Sequence, residues 1–475
     1  MICIPITSPD TESALADIKK ANNIADIIEL RLDYISNLDS KKLIKVAEKP
    51  VIATNRRKAD NGKFEGNEEE RLAVIKQAIE LNVDYVDIEI DSDHNDIIKN
   101  KKNSKIIISY HNFKETPTNI EEIFNKLKSA NADIIKIVTT ANKLSDNLKI
   151  IELVKKSKKP VIGLCMGPLG EISRILAPLY GSFLTFASLD KGKESSPGQI
   201  PAEILRNIYR INDIKPGFKI YGVIGDPISK SKGYIIHNSL FKKEKLNNIY
   251  LRFQVEDLKE FMENFSNLLA GFSVTMPHKQ QIINYLNDID LTAKKIKAVN
   301  TVVNKDGKLI GYNTDLIGAI KAIGAKTEIK NKNVTILGAG GAARAIAAGI
   351  LAKGGKVTIL NRTVEKAEKL AKELNCSFGS LKNFESVKTN ILINATSIGM
   401  YPNINATPID TKSLKNIVVF DAIYNPEKTK LLQEAEKNNC TIISGIGMFI
   451  NQAAEQFKIW TNKQPDTNFL RGILK

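Results

Sequence analysis

The sequence predicts an α/β protein in which a (β/α)8 barrel, the TIM barrel, is followed by a unit with a Rossmann nucleotide-binding lobe. Three observations predict this class. Short apolar runs alternate with amphipathic stretches over residues 1–212, a Pro-Gly pair breaks the chain at 216–217, and a glycine-rich turn separates two apolar runs within 333–363. A chain of 475 residues holds two or three domains of ordinary size, ~100–200 residues each. Hydrophobic residues (43%) and charged residues (26%) occur at globular levels, which excludes a disordered or fibrous chain.

Eight runs rich in β-branched residues occur in the first half, and each has the length of one strand. These predicted strands cover residues 2–7, 26–33, 50–55, 85–90, 105–112, 133–139, 160–166 and 183–188. Between them, as in 119–131 and 148–159, apolar residues recur at spacings of three and four, which is typical of amphipathic helices. Eight strand–helix repeats predict a closed barrel whose active site lies at the carboxyl ends of the strands.

Charged residues stand inside several of these strands, where burial is costly without a partner or a function. Glu29, Arg31 and Asp33 are spaced by two and therefore share one face of a strand, either as a structural ion pair or as part of a site. Lys136 lies in Ile-Ile-Lys-Ile-Val, where lost solvation favours a nucleophilic amine, although a snorkelling lysine at a strand end fits equally well. His111 ends the preceding run and is a candidate general base beside that lysine.

The glycine-rich turn of the second half has the dinucleotide-binding form Gly338-x-Gly340-x-x-Ala343. The first glycine permits a tight turn, the second lets the backbone approach a pyrophosphate, and Ala343 lets the helix pack on the strand. The next predicted strand ends in Asn361-Arg362-Thr363, without the acidic residue that binds the ribose of NAD. Arg362 suits a 2′-phosphate, so NADP(H) is the predicted cofactor; a solvated loop arginine is the alternative.

Five segments of the first half, in order, resemble type I 3-dehydroquinate dehydratase. They are ELRLD (29–33), SYHN (109–112), IIKI (134–137), GPLGEISRILAPLYGSFLTFAS (167–188) and SSPGQI (195–200). The resemblance implies that Lys136 forms an imine with the C3 ketone of 3-dehydroquinate, and that His111 removes the C2 proton and helps the C1 hydroxyl leave as water. It also implies that Arg174 binds the substrate carboxylate. Implied substrate-binding residues are Glu29, Arg31, Arg56, Arg174, Ser195 and Gln199. Asp60 departs from the family, which more often has glutamate there.

Seven segments of the second half resemble shikimate dehydrogenase. They are 222–241, GFSVTMPHK (271–279), AVNTVV (298–303), GYNTD (311–315), NATSIGM (394–400), DAIYNP (421–426) and 444–457. The two resemblances in this order are those of the bifunctional 3-dehydroquinate dehydratase/shikimate dehydrogenase family, in which the product of the first reaction is the substrate of the second.

The second resemblance implies that Lys279 and Asp315 form a catalytic pair, which protonates the C3 oxygen of 3-dehydroshikimate as NADPH delivers hydride. Implied substrate-binding residues are Ser231, Thr275, Asn300, Tyr424 and Gln452. Implied cofactor-binding residues are Gly338, Gly340, Gly341, Ala342, Asn361, Arg362, Thr363, Thr396, Ser397, Gly445 and Met448. Gly233 departs from the family, which usually carries a second serine there, so one hydroxyl donor to the substrate carboxylate is missing.

The Pro-Gly break places the expected domain boundary near Lys215. The predicted domains are the dehydratase barrel (1–214) and the dehydrogenase (215–475). Within the latter we expect a substrate-binding lobe (219–318), an NADP-binding Rossmann lobe (319–444) and a C-terminal helix (445–475) that returns to the substrate lobe.

The chain is basic, with 69 Lys and Arg against 53 Asp and Glu and a net charge of +16. No aromatic platform or nucleic-acid motif accompanies this charge, so we expect small-molecule substrates rather than nucleic acid, and an oligomer is compatible with the sequence. No apolar run reaches the ~18–20 residues of a membrane span, and no secretory signal is visible, which predicts a cytoplasmic protein. The cysteines form no CxxC pair and no metal site is expected. Alternatives are a dehydrogenase that uses quinate or NAD, or one inactive half.

Overall fold

The computed structural model describes residues 1–474. The strands are β1 (Ile2–Ile6), β2 (Ile27–Arg31), β3 (Val51–Thr54), β4 (Tyr85–Glu89), β5 (Lys105–His111), β6 (Ile134–Thr140), β7 (Val161–Met166), β8 (Thr185–Phe186), β9 (Lys219–Gly225), β10 (Asn248–Gln254), β11 (Leu269–Val274), β12 (Asp288–Ile289), β13 (Thr301–Lys305), β14 (Lys308–Tyr312), β15 (Asn333–Leu337), β16 (Lys356–Asn361), β17 (Ser377–Ser380), β18 (Ile391–Asn394), β19 (Val418–Asp421) and β20 (Thr441–Ile443).

The helices are α1 (Thr11–Ala21), α2 (Ser40–Val46), α3 (Glu68–Glu80), α4 (His94–Lys99), α5 (Ile120–Ser129), α6 (Asp146–Lys156), α7 (Glu171–Leu179), α8 (Gly233–Lys243), α9 (Leu258–Phe265), α10 (Leu291–Ile296), α11 (Asp315–Gly324), α12 (Gly341–Ala352), α13 (Val364–Leu374), α14 (Lys430–Lys437), α15 (Gly445–Thr461) and α16 (Thr467–Leu474). Short 3-10 turns join several of these elements. None of the helices in the described chain is long and apolar enough to cross a membrane.

The described residues group into two compact units. Unit 1 consists of Met1–Lys219 together with Asn247–Phe265, and unit 2 consists of Ile220–Leu246 and the chain from Ser266 onward. In unit 1, Arg252 on β10 pairs with Glu171 at 2.8 Å.

The sheet of unit 1 is a nearly closed parallel barrel, which confirms the predicted fold of the first half. Its strand order is β7-β6-β5-β4-β3-β2-β1-β8, so the strands from β1 to β7 are adjacent in the order in which they occur along the chain, and β8 pairs with β1. At the gap between β7 and β8, the amide of Phe183 donates to the carbonyl oxygen of Val161 at 2.7 Å. The strands are almost wholly buried because helices cover the sheet, as the continuous apolar runs predict.

Two barrel strands, β2 and β8, are shorter than predicted by three residues or more, while the ends of the other barrel strands differ from the prediction by at most one residue. The strand predicted at 26–33 ends at Arg31, so the expectation that Asp33 shares its face is wrong. Asp33 lies in a 3-10 turn, because its carboxylate accepts hydrogen bonds from Arg31 and from the amide of Lys63. The strand predicted at 183–188 is reduced to β8, since β1 offers it partners only at Ile2 and Cys3.

Unit 2 contains two sheets. In the first, β9, β11, β13, β14 and β12 are neighbours in that order, with antiparallel pairing on both sides of β13. The second is a parallel sheet of order β17-β16-β15-β18-β19-β20. With β15 counted as its first strand, the second sheet has the order 3-2-1-4-5-6 of the Rossmann fold, as predicted. Its switch point lies between β15 and β18, where ligands bind beyond the carboxyl ends of the strands.

Helix α15 packs on the first sheet of unit 2. The indole of Trp460 donates to the carbonyl oxygen of Val302 at 3.0 Å, and the amide of Gln456 donates to that of Asn300 at 3.2 Å. Both acceptors lie in or beside β13. The C-terminal half of α15, which begins at Gly445, is therefore held against β13.

Candidate active sites

Lys136 is a buried lysine on the inner side of the barrel. It is the third residue of β6, and its side chain retains only 6% exposure. The amine lies 2.7 Å from Asp87 Oδ2 and 3.7 Å from Glu29 Oε1, and it sits 4.4 Å from the centroid of the Phe186 ring. The snorkelling alternative is therefore wrong, because the amine is held within the protein by carboxylates.

Two carboxylates of β4 surround a buried guanidinium beside this lysine. Arg56, which follows β3, forms ion pairs with Asp87 at 2.7 Å and with Glu89 at 3.0 Å, and it donates a hydrogen bond to Ser109 Oγ at 3.0 Å. Burial alone would raise the pKa of Asp87, but the charges of Arg56 and Lys136 hold that pKa well below its usual value. Asp87 is therefore an ionised carboxylate in the barrel interior.

His111 ends β5, and its neighbours keep it neutral. Burial, and then the charges of Arg56 and Lys136, lower the pKa of His111 well below its usual value. Its ring stacks on Phe113 with centroids 5.8 Å apart, and its buried Nδ1 has no hydrogen-bond partner in the described chain. A neutral imidazole with a free nitrogen can accept a proton.

Arg174 is a buried cation without an acidic partner. It lies in α7, is 1% exposed, and its Nη2 donates to Ser196 Oγ at 3.3 Å and to the carbonyl oxygen of Pro197 at 3.2 Å. Burial lowers the pKa of Arg174 to about 10, so it stays charged at neutral pH. No carboxylate of residues 1–474 lies within ion-pairing distance of it, which fits a guanidinium that binds an anionic ligand.

The other predicted barrel residues have internal partners. Glu29 accepts from Thr54 Oγ1 at 2.9 Å. Arg31 makes a two-point pair with Asp33, at 2.9 and 2.8 Å. Gln199 donates to Ser195 Oγ at 2.9 Å and accepts from the amide of Ser195 at 2.8 Å, which closes the loop after β8.

Asp60 faces an arginine of its own loop. The Nε of Arg57 donates to Asp60 Oδ2, and Asp60 ends a 3-10 turn that Asn61 closes in the left-handed region, at φ 55°. Asp60 is thus held by its loop.

Lys279 and Asp315 form the central pair of unit 2. The amine of Lys279 lies 2.5 Å from Asp315 Oδ2, and Asp315 Oδ1 accepts from Asn300 Nδ2 at 2.8 Å. Asn300 is fixed by Thr314, whose amide donates to Asn300 Oδ1 at 2.8 Å. Helix α11 begins at Asp315, so its N-terminal dipole also favours the carboxylate.

Two further predicted residues border this network. Thr314 Oγ1 donates to Gln452 Oε1 at 3.4 Å, which links α15 to the start of α11. Thr275 follows β11, and its amide donates to the carbonyl oxygen of Ile224 at 2.9 Å. The structure thus brings Asn300, Asp315 and Gln452 together around Thr314.

Tyr424 and Ser231 meet near the start of α8. Burial raises the pKa of Tyr424, while hydrogen bonds with the backbone of Lys232 and the side chain of Ser231 oppose that shift. The Tyr424 ring stacks on Phe449 with centroids 4.1 Å apart. Gly233 is the first residue of α8, so the position that lacks a serine hydroxyl lies beside this pair.

The glycine-rich turn between β15 and α12 is shaped for a phosphate. Gly338 has φ +106°, and a Cβ there would lie 3.0 Å from the carbonyl oxygen of Ala395. A Cβ at Gly340 would meet nothing within 4 Å, so a ligand can approach this backbone closely. No side chain caps α12, which leaves the amides of its first turn, including Gly341 and Ala342, free for an anion.

The end of β16 is open to solvent. The side-chain amide of Asn361 donates to the carbonyl oxygen of Thr363 at 2.9 Å, and Thr363 precedes α13. Arg362 between them is exposed. An exposed guanidinium beyond the second strand of a Rossmann sheet fits the 2′-phosphate of NADP.

The loops after β18 and β19 and the start of α15 follow the carboxyl ends of three further strands of the Rossmann sheet. Asn394 Oδ1 accepts from both the amide and the hydroxyl of Thr396, at 3.0 and 2.7 Å. Ser397 lines a cavity of about 510 Å³ with residues 402–406. Gly445 begins α15, and a Cβ there would lie 2.4 Å from the carbonyl oxygen of Ile423. Met448 differs from these residues, since it is buried in the hydrophobic core of the Rossmann sheet.

Several buried polar residues of these sites were not predicted from the sequence. In the barrel they are Asp87 and Glu89, whose spacing by two within Tyr85–Glu89 repeats the pattern that singled out Glu29 and Arg31. In unit 2, Asp421 accepts from Asn394 at 3.1 Å and from Thr429 at 2.7 Å, and so fixes the loop that carries Thr396. Asn394 and Asp421 each begin one of the quoted motifs, which was the available signal.

Comparison with known families divides the chain in the same order. Residues 2–216 match the model of type I 3-dehydroquinase. Residues 223–302 match the shikimate dehydrogenase substrate binding domain, 321–422 match shikimate/quinate 5-dehydrogenase, and 445–473 match the shikimate 5′-dehydrogenase C-terminal domain.

Individual relatives span the whole chain or its second half. The bifunctional 3-dehydroquinate dehydratase/shikimate dehydrogenase, chloroplastic, of Arabidopsis thaliana is 39% identical and aligns with 97% of this chain and 82% of its own. The shikimate biosynthesis protein AroDE of Chlamydia pneumoniae is 33% identical over 97% of this chain and 95% of its own. A crystal structure of a shikimate dehydrogenase in complex with NADP+ is 44% identical, covers 55% of this chain and 96% of its own, and has a TM-score of 0.52. The chain belongs to the bifunctional 3-dehydroquinate dehydratase/shikimate dehydrogenase family.

Proposed function

We propose that this chain catalyses two consecutive steps of the shikimate pathway, which leads to chorismate and the aromatic amino acids. Its first half dehydrates 3-dehydroquinate to 3-dehydroshikimate, and its second half reduces that product to shikimate with NADPH. The observation that carries the proposal is that each unit pairs one lysine amine with one buried aspartate, Lys136 with Asp87 and Lys279 with Asp315. Membership of a family that joins the two activities in one chain supports it.

In the barrel, Lys136 is the nucleophile. Its nitrogen adds to the C3 ketone of 3-dehydroquinate, and loss of water gives an iminium that draws electrons from C2. His111 is neutral because its pKa is lowered, so it accepts the C2 proton and then gives a proton to the departing C1 hydroxyl. The product imine is hydrolysed to 3-dehydroshikimate and free lysine.

The remaining barrel residues orient the substrate. Arg174 binds the carboxylate, since it is a buried guanidinium without an acidic partner among the described residues. The substrate hydroxyls and ring are held by Glu29, Arg31, Arg56, Ser195 and Gln199.

In the second half, Lys279 protonates the substrate oxygen. NADPH supplies the hydride when it is bound. Lys279 donates a proton to the C3 oxygen of 3-dehydroshikimate as negative charge develops there, and Asp315 holds the amine in position at 2.5 Å. Asn300, Thr275 and Gln452 bind hydroxyls. Ser231 and Tyr424 bind the substrate carboxylate; their contact puts the phenol close to where Gly233 lacks a hydroxyl.

The cofactor is NADP(H), held along the switch point of the Rossmann sheet. The open backbone at Gly340 and the uncapped first turn of α12 receive the pyrophosphate. Arg362 pairs with the 2′-phosphate, and Asn361 and Thr363 contact the same end. We assign Thr396, Ser397 and Gly445 to the nicotinamide end, whereas Met448, which is buried in the core of the Rossmann sheet, is not assigned to it.

One experiment separates this proposal from its alternatives. The Lys136→Ala chain, in which the first reaction is blocked, is assayed with 3-dehydroshikimate or 3-dehydroquinate, each with NADPH or NADH, by loss of the reduced-nicotinamide absorbance. We expect turnover with 3-dehydroshikimate and NADPH. Faster reduction of 3-dehydroquinate than of 3-dehydroshikimate identifies a quinate dehydrogenase. Rates with NADH equal to those with NADPH identify an NAD enzyme. No turnover with any pair identifies an inactive second half.

We further propose a cytoplasmic location and the domain limits 1–214 and 215–475. The free thiols of Cys3, Cys165, Cys376 and Cys440 support a reducing compartment. The Pro-Gly pair at 216–217 supports the boundary.

A further inference from the structure

Asp87 is a buried carboxylate in direct contact with the reacting lysine, and the steps above give it no role. Its Oδ2 accepts from the Lys136 amine at 2.7 Å. Its Oδ1 accepts from Arg56 Nη2 and from Ser109 Oγ, both at 2.7 Å. The carboxylate is 1% exposed, so water does not screen its charge.

Asp87 is the nearest counter-charge among the groups that face the Lys136 amine. Glu29 on β2 is farther, at 3.7 Å, and also accepts from Thr54. From β8, the Phe186 ring lies 4.4 Å away and attracts a cation with its face. The other charged or titratable groups around Asp87 or the amine are Arg56, His111 and Cys3.

The charge on the nitrogen is conserved when the imine forms. The ammonium and the ketone become an iminium and water: the C–N double bond replaces the C–O double bond, and two N–H protons leave with the oxygen. The nitrogen carries one positive charge before and after this step. A carboxylate beside the nitrogen can therefore pair with the ammonium and then with the iminium without moving.

We propose that Asp87 is the counter-ion of the iminium on Lys136 and keeps the imine protonated, and thus able to accept electrons from C2, until the C1 hydroxyl has left. This inference rests on the proposed imine mechanism of the first half.

The charge arrangement around Asp87 suits this role. Arg56 and Lys136 keep Asp87 ionised against the effect of burial, so it takes no proton from the iminium. Arg56 is fixed in turn by Glu89 at 3.0 Å. Ser109, which pairs with Lys136 across β5 and β6, donates to the same carboxylate and fixes its orientation.

The test compares Asp87→Asn with a matched control, Glu89→Gln, in the full chain. Glu89 lies two residues along the same strand and also bonds Arg56, but it is not in contact with the amine of Lys136. An opposite charge at this distance changes a pKa by about 1–3 units. In the pH dependence of kcat with 3-dehydroquinate, we expect the apparent pKa of the alkaline limb to fall by about 1–3 units in Asp87→Asn. The same pKa should be unchanged in Glu89→Gln. Equal shifts in both variants, or no shift in Asp87→Asn, overturn the proposal.

Trapping at Lys136 supplies a readout that a merely structural role would not move. Cyanoborohydride reduces the protonated imine selectively, whereas borohydride also reduces the neutral one. In Asp87→Asn we expect the cyanoborohydride adduct to be lost towards alkaline pH while the borohydride adduct persists, as seen by mass spectrometry of the Lys136 peptide. Parallel loss of both adducts contradicts the role of Asp87. NADPH-dependent reduction of 3-dehydroshikimate by the same protein shows that unit 2 is folded, and persistence of the borohydride adduct shows that the barrel still forms the imine.

The wild-type chain gives an independent measurement if Asp87→Asn does not fold. We expect its cyanoborohydride adduct to be constant from mildly acidic to mildly alkaline pH; a yield that falls within that range overturns the proposal. If the wild type forms no adduct on Lys136 with either reagent, the imine mechanism itself is wrong, and the two failures are thereby distinguished.

Discussion

The amine of Lys279 lies 2.5 Å from Asp315 Oδ2, and the same side chain borders the dinucleotide turn. A Cβ placed on Gly341 would be 3.2 Å from the Lys279 Cβ. Gly341 is the first residue of α12, whose N-terminus receives the pyrophosphate in our proposal. In our proposal, Lys279 therefore protonates the substrate from a position next to the cofactor turn, as hydride transfer to the adjacent carbon requires.

Asp315→Asn should lower kcat for 3-dehydroshikimate reduction by about 10²–10⁴-fold, because the amine of Lys279 loses the charge that positions it. The amide keeps a hydrogen-bonding partner for Asn300, so we expect KM for NADPH to change little. Steady-state kinetics measure both values. Dehydratase activity of the same protein is the control, and a variant with unchanged kcat would remove Asp315 from the mechanism.

Arg362→Ala should raise KM for NADPH by about 10–100-fold, since charge-assisted hydrogen bonds contribute ~1.5–3 kcal/mol. The side chain is exposed and is held by no described ion pair, so the loss reflects the missing 2′-phosphate contact. Kinetics with NADH should barely change, and the dehydratase reaction should not change at all. Equal weakening of both nucleotides would show that Arg362 does not bind the phosphate.

The sequence predicted the regular parts of this fold well, because their signals are local. Eight apolar runs predicted the barrel, and the turn at Gly338 predicted the switch point of the Rossmann sheet. It failed where distant contacts decide the backbone, as at Asp33, which leaves its strand to bond Arg31 and Lys63. The nearer carboxylate partner of Lys136 was missed for the same reason, since Asp87 is 49 residues away along the chain.

Arg174→Gln should raise KM for 3-dehydroquinate by about 10–100-fold, because the buried guanidinium supplies charge-assisted bonds to the substrate carboxylate. Arg174→Lys should lie between this variant and the wild type, since it keeps the charge but loses the planar fork. Initial rates of 3-dehydroshikimate formation measure the effect. If KM is unchanged in both variants, the carboxylate binds elsewhere.

The stability of unit 2 should decrease as the pH falls below ~6.5, owing to His237. Burial lowers the pKa of His237 to about 3, so the unfolded chain binds a proton in the window between ~6.5 and 3 that the folded chain does not bind. The free energy of unfolding then falls by up to ~1.4 kcal/mol per pH unit from this group, and above ~6.5 the contribution is constant.

Urea unfolding followed by tryptophan fluorescence measures this effect, because the single tryptophan, Trp460, lies 5.0 Å from the His237 ring. His237→Gln should flatten the slope between about pH 6.5 and about pH 5, before carboxylates begin to titrate. A slope that is the same in the variant and in the wild type would contradict the assignment.

In our proposal, two lysine sites in one chain convert 3-dehydroquinate to shikimate in succession, and complementation between two inactivated chains measures this sequence of reactions. Lys136→Ala and Lys279→Ala, each supplied with 3-dehydroquinate and NADPH, should form no shikimate alone, while Lys279→Ala should accumulate 3-dehydroshikimate. An equimolar mixture should form shikimate with one NADPH consumed per molecule. Shikimate formation by either variant alone, or none by the mixture, would show that the two lysines do not carry the two successive reactions.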